Sequence, residues 1–145
     1  MSTVKQVLDA KGRHVSTIGS QASVLDAALL MNEHKIGCLV VLDGGRIVGI
    51  FTERDVLRRV VARRLDPGET SIDSVMTREV VCCQPDSRVD DARNIFMQRR
   101  IRHLPVVDEV GRLRGLISIG DLNAWELTGQ QIEIHYLQEY IHGRT

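Results

Sequence analysis

A chain of 145 residues, 43% of them hydrophobic, is long enough to bury one real core or two small intimate ones. Its 19 Lys and Arg balance its 19 Asp and Glu, so no excess charge advertises nucleic acid or an anionic membrane as a partner. No apolar run approaches the roughly 20 residues of a membrane-spanning helix, and Met1-Ser2-Thr3-Val4-Lys5 lacks a signal-peptide core, so the expected setting is cytoplasmic.

In chain order, a short strand is expected at about 15–18, followed by a helix whose apolar positions Val24, Ala27, Ala28 and Met31 mark one buried face. The continuous apolar run Cys38-Leu39-Val40-Val41-Leu42 reads as a buried strand. Gly44-Gly45 is a tight turn into a second strand, and a closing helix follows. Arg64-Leu65-Asp66-Pro67-Gly68 then breaks the pattern as a linker.

The same order then returns. Val24, Asp26, Ala27, Ile36, Val41 and Asp43 reappear 65 residues later as Val89, Asp91, Ala92, Ile101, Val106 and Asp108. After the second hairpin turn, Glu109-Val110-Gly111, the offset becomes 66 and matches Arg46, Gly49 and Asp55 to Arg112, Gly115 and Asp121. One extra residue confined to a turn is what a repeated fold tolerates best. The second copy supplies a strand at about 80–83, a helix on Val89, Ala92 and Phe96, and the strand Leu104-Pro105-Val106-Val107. The fold class is therefore α/β (α+β), as two tandem β-α-β-β-α repeats. A three-stranded sheet does not easily bury both faces alone, so the copies are expected to pack about a pseudo-twofold axis with two related clefts between them. The expected division is 1–63 for the first repeat, 64–71 for the linker, 72–127 for the second repeat and 128–145 for a helical tail. In that tail Ile132, Tyr136 and Tyr140 form an apolar stripe suited to packing back or to self-association.

Two stretches carry the chemistry: Gly49-Ile50-Phe51-Thr52-Glu53-Arg54-Asp55 and Gly115-Leu116-Ile117-Ser118-Ile119-Gly120-Asp121. Each runs from a strand into a helix, with a hydroxyl residue at the N-cap and an Asp three residues on. One reading is a capping box, which any helix can use, although an Asp reaches back to its helix start less readily than a Glu. The other is a carboxylate turned outward to accept hydrogen bonds from a cis-diol such as ribose, beside a helix start that favours a phosphate.

Little else competes. Cys38, Cys82 and Cys83 form no C-x-x-C and read as buried free thiols. His14, His34, His103, His135 and His142 have no ligand-like spacing, so no metal is expected. The run Arg58-Arg59 and Arg63-Arg64 reads as a solvated face. Ser118, His103 and Asp121 form a triad only nominally, because the cap or a ribose already accounts for two of them. With no P-loop, nucleophile elbow or G-x-G-x-x-G, no enzyme is expected.

The repeat, the two G-h-h-[ST]-x-x-D motifs and the run Arg102-His103-Leu104-Pro105-Val106 resemble a CBS domain pair, or Bateman module, over about residues 4–127. The resemblance implies a stand-alone regulatory module that binds an adenosine-containing ligand, AMP or else ADP, ATP, NAD(H) or S-adenosylmethionine. It also implies a homodimer and an unidentified protein partner. Carried over, Thr52 with Asp55 and Ser118 with Asp121, together with the Ile119-Gly120 turn, would hold ribose in the two clefts. Backbone at Val81 and Ile18 would meet adenine. Arg102 and His103 would reach the phosphate, with Arg54 as a further candidate near the axis. The matching first-repeat positions, Gly37 and Cys38, carry no charge, so the clefts are expected to be unequal.

Overall fold

A computed structural model describes residues 2–128; the stripe Ile132, Tyr136 and Tyr140 lies outside them. The chain forms α1 (Val4–Lys11), β1 (Thr17–Gly19), α2 (Val24–His34), β2 (Cys38–Asp43), β3 (Arg46–Thr52) and α3 (Glu53–Asp55). Helix α3 runs straight on into a π-helical stretch, Val56–Val61. Then come α4 (Ile72–Val75), α5 (Val89–Arg99), β4 (His103–Val107) and β5 (Leu113–Ser118). Residues 119–128 are helical and are referred to as α6.

Helices α2 and α5 lie where the periodicity puts them, whereas α1 and α4, ahead of each repeat's first strand, were not expected. Val24, Ala27 and Met31 are the buried face of α2, and Val89, Ala92 and Phe96 that of α5. The Ser23 hydroxyl caps α2 by accepting from Asp26 N–H at 3.0 Å. Both helices end on a non-glycine residue in the left-handed region, Lys35 at φ 54° and Arg100 at φ 53°. Each such residue costs about 1–2 kcal/mol, and its presence at matching places shows the duplication in the backbone itself. The β2–β3 and β4–β5 hairpins carry the same irregularity, between Val41 and Leu42 and between Val106 and Val107.

The two sheets differ in one respect. The first has three strands, with β1 parallel to β2 and β2 antiparallel to β3. In the second, the strand expected at about 80–83 is reduced to a single parallel bridge between Cys83 and Val106. The reason is chemical. In the first repeat Val40 N–H donates to Ser16 C=O at 3.2 Å. The residue equivalent to Val40 is Pro105, which has no N–H, so the corresponding bond to Val81 C=O cannot form.

Packing does not follow the repeat boundaries. Val4, Val7 and Leu8 of α1 are buried in the second core with Val89, Phe96, Leu104, Ile117 and Leu122. Conversely, Ile72, Val75 and Met76 are buried in the first core with Val24, Met31, Leu39 and Phe51. Each repeat thus gives its leading helix to the other, a reciprocal exchange that relates the halves as a twofold axis would. The motif glycines make room for it. A Cβ on Gly49 would stand 2.5 Å from Met76 Sδ, and one on Gly115 would stand 2.7 Å from Leu8 Cδ2.

Candidate functional site

The two cap turns are built alike. In the first, Thr52 N–H donates to Asp55 Oδ2 at 3.0 Å and Asp55 N–H to Thr52 Oγ1 at 3.3 Å. In the second, Ser118 N–H donates to Asp121 Oδ2 at 2.8 Å and Asp121 N–H to Ser118 Oγ at 3.1 Å. Both are closed capping boxes, so Asp reaches back here as well as Glu does elsewhere, against expectation. The first N–H of each helix is also taken up, Glu53 by Gly37 C=O and Ile119 by Arg102 C=O, each at 3.1 Å. That bond clamps the strand carrying Gly37 or Arg102 against the helix start.

The β ladders finish the placement. Cys38 lies opposite Thr52, and His103 lies opposite Ser118. Arg102 is exposed beside the second turn and His103 is half-buried. Burial, then the Lys11 ammonium and the Arg102 guanidinium, lower the His103 pKa, while Asp121 and Glu53 oppose them more weakly overall. At neutral pH the His103 imidazole is therefore uncharged.

The two carboxylates differ in what surrounds them. The Asp55 side chain is 10% exposed, with Arg59 Nε of its own helix 3.6 Å from Oδ1. Arg59 also donates to the Val75 and Met76 carbonyls at 3.1 and 3.0 Å, so it is held along the exchanged helix α4. The Asp121 side chain is 24% exposed and accepts from Lys11 Nζ at 2.5 Å. Lys11 was not legible as a site residue, because it lies 110 residues from Asp121 and arrives only through the α1 exchange. Glu53 was missed too: its carboxylate lies over Gly37, where a Cβ would meet Glu53 Cδ at 3.1 Å.

The remaining sequence-derived residues fall into two groups. Val81 and Ile18 are half-buried against the second and first cores respectively. Ile18 is in the β1–β2 ladder, whereas Val81 makes no backbone hydrogen bond among the described residues. Arg54 and Gly120 are exposed on the first turns of their helices, and Ile119 packs against the second core. Burial pushes the Cys38 and Cys83 thiols up to about 12, with Asp55 adding to the effect at Cys38 and Cys82 at Cys83. All three cysteines are free. Among the described residues no three His, Cys, Asp or Glu side chains are grouped to hold a metal, and no helix is long and apolar enough to cross a membrane. A surface cavity of about 460 Å³ opens at the other end of the β4–β5 hairpin, lined by charged residues such as Asp86, Asp108, Arg112 and Arg114, and it touches neither cap turn.

The CBS domain family model matches residues 4–62 and again 72–126. The chain is 32% identical over 130 residues to the CBS domain-containing protein YhcV of Bacillus subtilis, covering 90% of this chain and 89% of that protein. Among solved structures, it is similar to a putative signal-transduction protein with CBS domains from Burkholderia ambifaria. That match has 41% identity and a TM-score of 0.85, and covers 89% of this chain and 96% of the other. It is also similar to the CBS domain pair of protein MJ0100 in complex with methylthioadenosine and S-adenosyl-L-methionine, at 28% identity and a TM-score of 0.78, covering 90% and 98%.

Proposed function

The chain belongs to the CBS domain family as a tandem pair, and from that premise we propose that it is a regulatory module binding an adenosine nucleotide in its clefts. AMP is the favoured ligand, with ADP, ATP and NAD as the alternatives. The observation that carries this reading is the second cap turn. There the partly exposed Asp121 carboxylate, the His103 ring opposite Ser118 and the Arg102 residue clamped to the helix start lie at one turn. In this reading Ser118 and Asp121 hold the ribose diol, and the Val81 backbone meets the adenine edge. Arg102 and His103 meet the phosphate, beside the Ile119-Gly120 turn. Thr52, Asp55 and Ile18 line the first cleft, with Arg54 near the axis. The deeper burial of Asp55 and its Arg59 neighbour make that cleft the weaker of the two. The ligand complex of MJ0100 supports an adenosine-containing ligand for a fold of this kind.

The same proposal includes a homodimer, supported by Leu57 and Val61, which are 62% and 61% exposed and one turn apart on the π-helical stretch. It also includes a reducing, cytoplasmic setting, in which three free thiols persist. A second reading has its own observation: both carboxylates are already satisfied as caps. On that reading the turns are purely structural and the module binds only a protein partner. A thermal-shift screen with AMP, ADP, ATP, NAD and S-adenosylmethionine separates the two. Ligand at 100 times its dissociation constant adds roughly 2.7 kcal/mol of stability, whereas a flat screen at millimolar levels leaves the structural reading.

A further inference from the structure

Lys11 ends α1, the helix that the first repeat gives to the second core. Its ammonium donates to Asp121 Oδ2 at 2.5 Å and to Leu116 C=O at 2.7 Å. The cap does not need it, because Ser118 N–H already donates to the same carboxylate oxygen. Asp121 Oδ1 has no hydrogen-bond partner among the described residues, so a cis-diol that donates to both Asp121 oxygens has to take Oδ2 from Lys11. The first repeat has no equivalent device. Aligning Val4, Val7 and Leu8 with Ile72, Val75 and Met76 puts Glu79 in the place of Lys11, and Asp55 pairs instead with Arg59 of its own helix.

We propose that Lys11 reads the charge of the ligand in the second cleft: it yields Asp121 to the ribose diol and pairs with the phosphate instead. The cleft then selects adenosine nucleotides over neutral or cationic adenosine compounds. This inference rests on the adenosine reading above and adds a residue and a ligand class to it. Its physics is an exchange of ion pairs. Neutral adenosine competes with Lys11 for Asp121 and leaves the ammonium without a counter-charge. A nucleotide brings its own anion, so the pair that breaks is replaced by one that forms, and a charge-assisted hydrogen bond is among the stronger contacts available. A sulfonium compound such as S-adenosylmethionine brings a positive charge towards Lys11 and Arg102, which disfavours it. The flexible four-carbon stem of a lysine lets one ammonium serve both partners in turn.

The test is calorimetric titration of the full chain with AMP, adenosine and S-adenosylmethionine, comparing wild type, Lys11→Met and Lys11→Arg. Wild type should prefer AMP. Lys11→Met should lower the AMP-to-adenosine affinity ratio by about ten- to hundredfold, partly through tighter adenosine binding, while Lys11→Arg keeps the preference. In parallel, amine acylation of Lys11, but not of Lys5 or Lys35, should be faster with adenosine bound than with AMP bound, as read by peptide mass spectrometry. The acylation arm needs no variant, so it decides the matter even if Lys11→Met fails to fold. An unchanged affinity ratio in Lys11→Met, or equal acylation of Lys11 in the AMP and adenosine complexes, overturns the role of Lys11 and leaves the adenosine reading standing. Wild type that binds none of the three overturns both.

Discussion

His103 shows how far one side chain's environment departs from what its neighbours in sequence suggest. The resemblance to CBS pairs implied a phosphate contact for it; the structure sets it opposite Ser118, half-buried and within reach of the Lys11 charge, which keeps its pKa low. A histidine held neutral by the fold takes its proton only below the ordinary value of about 6.5 at which the unfolded chain takes one. Below that pH the unfolded state binds more protons, so the contribution of His103 to stability is lost as pH falls and is fully present above it. Asp121 and Glu53 face the ring and pull the other way, and Lys11 and Arg102 reinforce the burial. Urea unfolding at pH 7.5 and 5.5 should therefore show wild type losing more stability than His103→Gln across that interval, by at most about 1.4 kcal/mol per pH unit. Equal losses in the two proteins would mean that His103 is not kept neutral by the fold.

At the scale of elements, the exchanged helices and the motif glycines explain one another. The sequence showed Gly49 and Gly115 as matching letters and gave no reason for glycine. The reason is that Met76 and Leu8, from the helix of the opposite repeat, lie over those two strand positions. The two sites differ in how they would meet a methyl group. At Gly115 the close atoms are the ends of the Leu8 side chain, which can turn aside; at Gly49 the backbone oxygen of Thr77 also stands 2.9 Å away and cannot. Gly49→Ala should destabilise the protein by about 1–3 kcal/mol and Gly115→Ala by clearly less, measured by chemical denaturation. The reverse order would show that α1, not α4, is the more rigid partner. What was legible follows the same line. Helix faces, hairpins and cap turns are local, so the spacing of Val24, Ala27 and Met31 or of Ser118 and Asp121 sufficed. Val4, Val7 and Leu8 were not read as a helix face, and their spacing does not say which core buries them, so α1 and the Lys11 contact it delivers stayed hidden. The shortened strand at Val81 was legible in principle, because Pro105 stands where the first repeat has a donor, but only once the register was known.

The exchange has its largest consequence for the whole molecule. Neither core is complete in its own repeat: one lacks Val4, Val7 and Leu8, and the other lacks Ile72, Val75 and Met76. Burying a side chain of this size stabilises by about 1.5–3 kcal/mol, and a small domain has only about 5–15 kcal/mol in all. A repeat that loses three such residues from its core has little reason to remain folded when the other opens. Calorimetry should accordingly show one transition for the full chain, with calorimetric and van't Hoff enthalpies in agreement. A nucleotide bound beside Asp121 should then raise that single transition as a unit, because the second cap turn is tied through Lys11 and α1 to the first repeat, and the first is tied through Arg59 to α4. Two separable transitions, or an AMP-induced shift confined to one of two components, would show that the repeats fold independently and that the exchanged helices are ornaments on two self-sufficient cores. A single shifting transition would mean that occupancy at one cap turn is felt throughout the chain, which is the property a regulatory module requires.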